Sequence, residues 1–158
     1  MAAQSSPDRI DRKILVVLQA EGRLTNHALA DRVALSPSAC LARVKQLEQK
    51  GIIQGYHARL DPFRVDVGIV LFAEVTLRAH GAADFECFDA TVAALPQIVE
   101  ASHVSGAFDY LIKVVVGDLP EWTKIGEKLT NEAGVERINS HVLLRKTKIF
   151  VGYPVPQN

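Results

Sequence analysis

The sequence predicts an α+β protein with a helical N-terminal domain over residues 1–60, a linker at 61–66 and a ferredoxin-like βαββαβ domain over residues 67–158. Three observations carry this reading. Apolar residues recur at helical spacing in three successive runs of the first sixty residues, each opened by a residue able to cap a helix. The remainder reads strand, helix, strand, strand, helix, strand, the split βαβ order. Charge also changes sign between the parts: residues 1–60 hold nine basic and five acidic side chains, residues 61–158 nine basic and thirteen acidic. A basic part joined to an acidic one suggests two tasks, one of them with a polyanion, although chance produces differences of this size.

The first helix is expected over residues 8–22, with Ile10, Ile14, Leu15 and Leu18 on one face, Pro7 or Asp8 at its start and Gly22 at its end. Thr25 is a plausible N-cap for a second helix through Val33, which buries Leu29 and Val33. A short turn, Ala34-Leu35-Ser36-Pro37, leads to the third. Ser36 caps it, and Pro37 occupies the first helical position, where a missing N–H costs nothing. Cys40, Val44 and Leu47 share its inward face, while Ser38, Ala39, Ala42, Arg43 and Gln46 face outward with Lys45 alongside, and no acid intervenes before Glu48. Small residues permit close approach to a base-pair edge, and Arg and Gln side chains hydrogen-bond guanine and adenine edges. Two short helices joined by a tight turn, followed by the Gly-flanked apolar run of residues 50–60 as a small strand or hairpin, make a winged helix-turn-helix candidate. An ordinary three-helix bundle with a solvated third helix, and Arg43 as a surface ion-pair partner, is the plainer alternative.

In the second part an apolar strand is expected over residues 67–77, with Ile69, Leu71, Ala73, Val75 and Leu77 on one face and Val70, Phe72, Glu74 and Thr76 on the other. A helix over 82–95 aligns Phe85, Phe88, Val92 and Leu95 before Pro96. Strands at 98–104 and 108–116 flank Ser105-Gly106-Ala107; a helix at 119–133 buries Trp122, Ile125 and Leu129, and a last strand region spans 135–151. Two helices cover one sheet face. The other is expected to present Val70, Phe72, Ile112 and Val114, or their neighbours depending on register, and a second copy of the chain would cover it. Such a pair would bring two recognition helices to one duplex.

Composition excludes several classes. With 48% hydrophobic and 23% charged residues the chain is not a disordered solvating segment. No apolar stretch suits a membrane span, and the first residues lack the pattern of a secretion signal. Cys40 and Cys87 are too few for a disulfide framework and lack metal-ligand spacing, which points to a reducing compartment. There is no phosphate loop, nucleophile elbow or metal triad, so no enzyme is expected and no cofactor. His27, His57, His80, His103 and His141 are scattered; a metal sensor built from them and the two cysteines is a weaker idea.

Five blocks taken together resemble the Lrp/AsnC (leucine-responsive, feast/famine) family of regulators: Ile10-Asp11-Arg12-Lys13-Ile14-Leu15, Gly22-Arg23-Leu24-Thr25-Asn26, residues 35–48, Gly51-Ile52-Ile53-Gln54-Gly55-Tyr56 and residues 104–111. The resemblance spans about residues 8–150 and preserves the family's order and separations. It implies a cytoplasmic, nucleoid-associated transcription regulator whose first domain binds double-stranded DNA. Thr25, Asn26, Ser36, Ser38, Ala39, Ala42, Arg43, Lys45 and Gln46 are the candidate contacts. It also implies dimers that assemble into tetramers, octamers or hexadecamers, with a small effector, usually an amino acid, held near the interface between dimers. On that analogy Ser105, Gly106, Ala107, Phe108, Asp109 and Tyr110 line the effector site, with Gly106 and Ala107 amides for a carboxylate and Asp109 for an ammonium, and Asn139 and His141 on the last strand face it. Asp109 as a locally paired structural acid, and His141 as a packed or exposed strand histidine, are the alternatives. Ala107 and the Arg145-Lys146 pair depart from acids common in the family, which leaves the effector's identity open. The competing function is an architectural, nucleoid-like protein that binds DNA with little sequence preference and no ligand.

Overall fold

A computed structural model of the chain describes residues 6–65 and 68–156. Asp66 and Val67, the end of the expected linker and the start of the expected strand, lie outside the described residues. The chain divides into two compact units: residues up to Arg59 together with those from Lys148 onward, and Leu60–Thr147.

In the helical unit, α1 (Arg9–Ala20), α2 (Asn26–Val33) and α3 (Pro37–Gln49) enclose Ile14, Leu29, Ala30, Val33, Cys40 and Leu47, all essentially removed from solvent. Each helix begins at a side-chain cap, because its first amides have no partner within the helix. Asp8 and Asp11 form a reciprocal capping box at α1, while Thr25 and Ser36 cap α2 and α3. The turn between α2 and α3 is closed by Ala34 in the left-handed region (φ 57°), a conformation that costs an alanine about 1 kcal/mol or more. It is held by the Leu35 amide donating to the Ala30 carbonyl at 3.0 Å. Gly51 (φ 67°) ends α3, with the Ile52 amide returning to the Leu47 carbonyl and the Gly51 amide to that of Glu48.

Two expectations for this unit are corrected. The small strand or hairpin predicted over residues 50–60 does not form: these residues run irregularly, and no strand pairs with them among the described residues. Positive φ at both Gly51 and Gly55 breaks the two-residue alternation a hairpin needs. The last strand does not reach residue 151. It stops at Val142, paired with Leu71; one more hydrogen bond joins the Leu143 amide to the Val70 carbonyl at 2.8 Å, and β1 itself begins at Ile69, too few residues to carry a ladder to 151. Residues from Lys148 instead lie along α1 as an extended strap. The Gln19 side chain donates to the Tyr153 carbonyl at 3.1 Å and accepts from the Tyr153 amide at 2.6 Å, and Arg59 donates to the Phe150 carbonyl at 2.7 Å.

The second unit is a four-stranded antiparallel sheet in the order β2 (Ile98–His103), β3 (Tyr110–Val116), β1 (Ile69–Leu77), β4 (Val135–Val142). Helices α4 (Ala82–Ala93) and α5 (Leu119–Glu132) pack on one face. The alternation of β1 sends Leu71, Ala73, Val75 and Leu77 into a core with Phe88, Ile125 and Leu129. The register decides the other face. Ile112 and Val114 pair with Ala73 and Leu71 and are fully buried beneath the helices, so they do not belong to the open side. Their neighbours do: Phe72 lies between Lys113 and His141 and Glu74 between Leu111 and Asn139, while Val70, expected on this side and paired with Val115, is itself buried in the single chain.

Candidate nucleic-acid interface and effector site

The outward face of α3 is available. Ser38, Ala39, Ala42, Lys45 and Gln46 are exposed, while Cys40 and Leu47 anchor the opposite side. Leu41, 43% exposed, adds an apolar side chain that the sequence pattern did not single out. Ser36 is exposed and works as the cap, accepting from the Ala39 amide at 3.3 Å with Ser38 Oγ at 3.2 Å. Thr25 accepts from the Ala28 amide, and Asn26 Nδ2 donates to the Pro37 carbonyl at 2.8 Å, so Asn26 joins the start of α2 to the start of α3. These residues set the helix-turn-helix geometry at the same edge from which they were expected to touch DNA.

Arg43 departs from that pattern. Its Nη1 donates to Asp8 Oδ2 at 2.6 Å and Asp11 Oδ1 at 2.8 Å, so the guanidinium is drawn off the outward face to the start of α1. The neighbouring carboxylates hold the Arg43 guanidinium still more firmly protonated. The Asp11 amide and the guanidinium together hold the Asp8 carboxyl below its ordinary value. Asp8 and Asp11 are the partners of Arg43 that pattern reading missed. Their i, i+3 spacing announced a capping box, but nothing local announced the arginine more than thirty residues away.

The second candidate site begins at the loop between β2 and β3. Ser105, Gly106 and Ala107 are exposed, and Gly106 sits at φ 137°. Asp109 is only 17% exposed at its side chain, and its oxygens are already engaged. Oδ2 accepts from the Leu77 amide at 2.8 Å, and Oδ1 lies 3.1 Å from His80 Nε2. The Leu77 amide first, then His80, draws its pKa below the usual carboxylate value against a desolvation that opposes them. Phe108 is half-buried. Tyr110 turns into the core, 4.2 Å from Phe88 and 4.8 Å from His103 between ring centres, and burial reinforced by Asp89 pushes its phenol up to about 12. Asn139 and His141 lie on the open sheet face, across β1 from β3, where they meet the two oxygens of Glu74 at 3.4 Å each. A single copy therefore does not gather the loop and the last strand around one ligand.

Among the described residues no three His, Cys, Asp or Glu side chains converge as metal ligands, and no helix is long and apolar enough to cross a membrane. Cys40 is buried in the helical core, which pushes its thiol up, and the exposed Cys87 donates to the Glu132 carbonyl.

Comparison with known proteins assigns both units. Residues 7–54 match a winged helix-turn-helix DNA-binding model, and residues 70–151 match the Lrp/AsnC ligand binding domain. The leucine-responsive regulatory proteins of Escherichia coli K12 and Salmonella typhimurium are each 46% identical over 143 residues, 89% of this chain and 87% of theirs. A transcriptional regulator of Neisseria meningitidis, solved as a complex with L-Met, superposes with a TM-score of 0.84 at 38% identity, covering 93% of this chain and 96% of that one. The leucine response regulatory protein of Mycobacterium tuberculosis superposes at 0.83 with 29% identity, covering 94% and 99%. A capped recognition helix, an antiparallel β2-β3-β1-β4 sheet backed by two helices, and matches over nearly the full chain agree: the protein belongs to the Lrp/AsnC family of DNA-binding transcription regulators.

Proposed function

We propose that two copies of this chain, paired through their open sheet faces, bind an operator with the outward faces of α3 in successive major grooves, and that an amino acid regulates this binding. The observation that carries the reading is the exposed run Ser38, Ala39, Ala42, Lys45 and Gln46 on a helix whose other side is anchored by buried Cys40 and Leu47. Phe72, Leu111 and Val115, which share the uncovered sheet face with Lys113, Glu74 and His141, support pairing, since apolar side chains left there by a lone chain gain by being covered. The amino-acid effector is supported by the L-Met complex of the Neisseria relative and the leucine-responsive names of the enterobacterial ones. The exposed amides at Gly106 and Ala107 suit the ligand's carboxylate. Asp109, held by Leu77 and His80, shapes that loop, and Asn139 and His141 enter the site from a neighbouring copy. Dimers assemble further into tetramers, octamers or higher assemblies. The reading assigns the chain no catalytic step and places it with the nucleoid in the cytoplasm.

Equilibrium binding to a selected operator and to random duplex at one fixed salt concentration tests it, with and without each amino acid. Operator affinity at least about a thousandfold above random, changed by one or a few amino acids, is expected. Equal affinities with no amino-acid effect would establish the architectural alternative instead.

A further inference from the structure

Arg43 is the one arginine on α3, and it sits where an outward-reading side chain was expected, yet it points elsewhere. The capping box of α1 explains why. Asp8 Oδ1 accepts from the Ile10 and Asp11 amides at 2.8 Å each, and Asp11 Oδ2 accepts from the Asp8 amide at 3.2 Å. Each carboxylate thus spends one oxygen on the box and has one left. Those two remaining oxygens, Asp8 Oδ2 and Asp11 Oδ1, are the pair that Arg43 Nη1 bridges at 2.6 and 2.8 Å. Asp11 is the one buried charged residue among those described, with its side chain 12% exposed, and Arg43 is 31% exposed. An acid buried to that degree needs its cation, and a guanidinium shared between two acids has a fixed direction.

We infer that Arg43 is a positioning residue for DNA recognition: it locks α3 to the N-terminal capping box of α1 through Asp8 and Asp11 and does not itself read the duplex. The inference rests on the reading that the outward face of α3 meets DNA. The clamp joins the middle of α3 to the first turn of α1. The cores at Cys40 and Leu47 fix how deep α3 sits. The Arg43 bridge resists rotation of α3 about its own axis, and a rotation displaces Ser38, Ala42 and Gln46 together from the base edges. Loss of the clamp therefore removes sequence discrimination while leaving the phosphate-driven part of binding in place.

The two roles open to Arg43 predict opposite signs for changes at its partners, neither of which lies on α3. If Arg43 contacts DNA, removing an acid that competes for it raises operator affinity. If Arg43 positions α3, removing that acid lowers it. The experiment uses the full chain with Arg43→Ala, Asp11→Asn and the double variant, with Asp8→Asn and Arg43→Lys as milder companions. Operator and random-duplex affinities are measured at several salt concentrations, at a temperature where circular dichroism reports every variant folded. The expected result is an operator affinity about tenfold lower in both Arg43→Ala and Asp11→Asn, with random-duplex affinity not reduced in Asp11→Asn. The double variant should fall no further than either single one, the slope of affinity against salt should be unchanged in Arg43→Ala, and Arg43→Lys should recover part of the loss. An operator affinity raised or unchanged in Asp11→Asn, losses that multiply in the double variant, or a salt slope reduced by about one in Arg43→Ala would each overturn the inference. A wild-type chain with no preference for operator over random duplex would instead remove the reading beneath it. Should Asp11→Asn fail to fold, Asp8→Asn carries the same test, because Asp8 is exposed at the surface end of the bridge.

Discussion

Asp109 illustrates how one side chain can tie two strands together. One of its oxygens receives the Leu77 amide at the end of β1, and the other meets His80. The Asp109 amide also donates to the Val75 carbonyl, so this residue ties the start of β3 to β1 by main chain and side chain together. Its folded-state pKa lies below the ordinary carboxylate value. The stabilisation is therefore complete above about pH 4, the unfolded value, and is lost as pH falls through the depressed folded value. Asp109→Asn is expected to lower stability at pH 7 by about 1–3 kcal/mol, the worth of a hydrogen bond to a charged acceptor. It should also flatten the loss of stability between about pH 4 and lower values. Urea unfolding of both proteins at pH 7, 5 and 3 checks this; identical acid profiles would show that Asp109 contributes nothing through its charge.

At the scale of elements, the strap formed by residues 148–156 matters most to how the DNA-binding unit is built. The chain leaves this unit at Arg59, forms the whole sheet, and returns at Lys148. On its return the Gln19 amide group meets both the N–H and the C=O of Tyr153, as an adjacent strand would. Gly152 permits that approach. It sits at φ 135°, and a Cβ there would lie 2.6 Å from Gln19 Oε1 and 2.8 Å from its Cδ. Gly152→Val is accordingly expected to break both Gln19 hydrogen bonds, at about 1 kcal/mol each. Hydrogen exchange at the Tyr153 amide should accelerate about tenfold or more, with amides in the sheet unchanged. Unchanged exchange at Tyr153 would mean that the strap is held by its apolar residues alone. The strap also explains why a strand pattern in the last twenty residues misleads: apolar residues such as Ile149 and Val151 satisfy the strand preference, but the β1–β4 ladder ends at Leu71 and Val142 and β1 begins at Ile69, which leaves them no partner strand among the described residues.

For the whole molecule the decisive surface is the uncovered sheet face. It is neither wholly apolar nor wholly charged. Phe72 lies at its centre between Lys113 and His141, and Glu74 beside it is bound by Asn139 and His141. Because Phe72 points away from the core beneath the helices, Phe72→Asp should leave the fold of a single chain nearly unchanged. Phe72 is half-buried in the single chain, and pairing would desolvate the introduced charge further, so the dissociation constant of the pair should rise at least about tenfold. Sedimentation over a concentration series measures this, and operator affinity should fall with it, since one copy presents one recognition helix. An unaltered association state would place the pairing surface elsewhere on the chain.

Local chemistry determined much of this protein before any coordinates. Helical and strand periodicities belong to consecutive residues, and caps such as Thr25 and Ser36 act within three positions. Element type and order were therefore legible for the five helices and four strands, as were the anchored and outward faces of α3, but not at residues 50–60, where no strand forms, or beyond Val142, where the strand pattern ran on into the strap. Only tertiary structure decided the pairings across long stretches of chain. The direction of Arg43 depends on two acids 32 and 35 positions away, the strap on a glutamine 134 positions from its partner, and the open sheet face on a register that placed Leu111 and Lys113 there instead of Ile112 and Val114. Periodicity states which residues share a face; it carries no information about what that face meets, because contacts between distant segments form only when the whole core closes and chooses among partners of equal local merit.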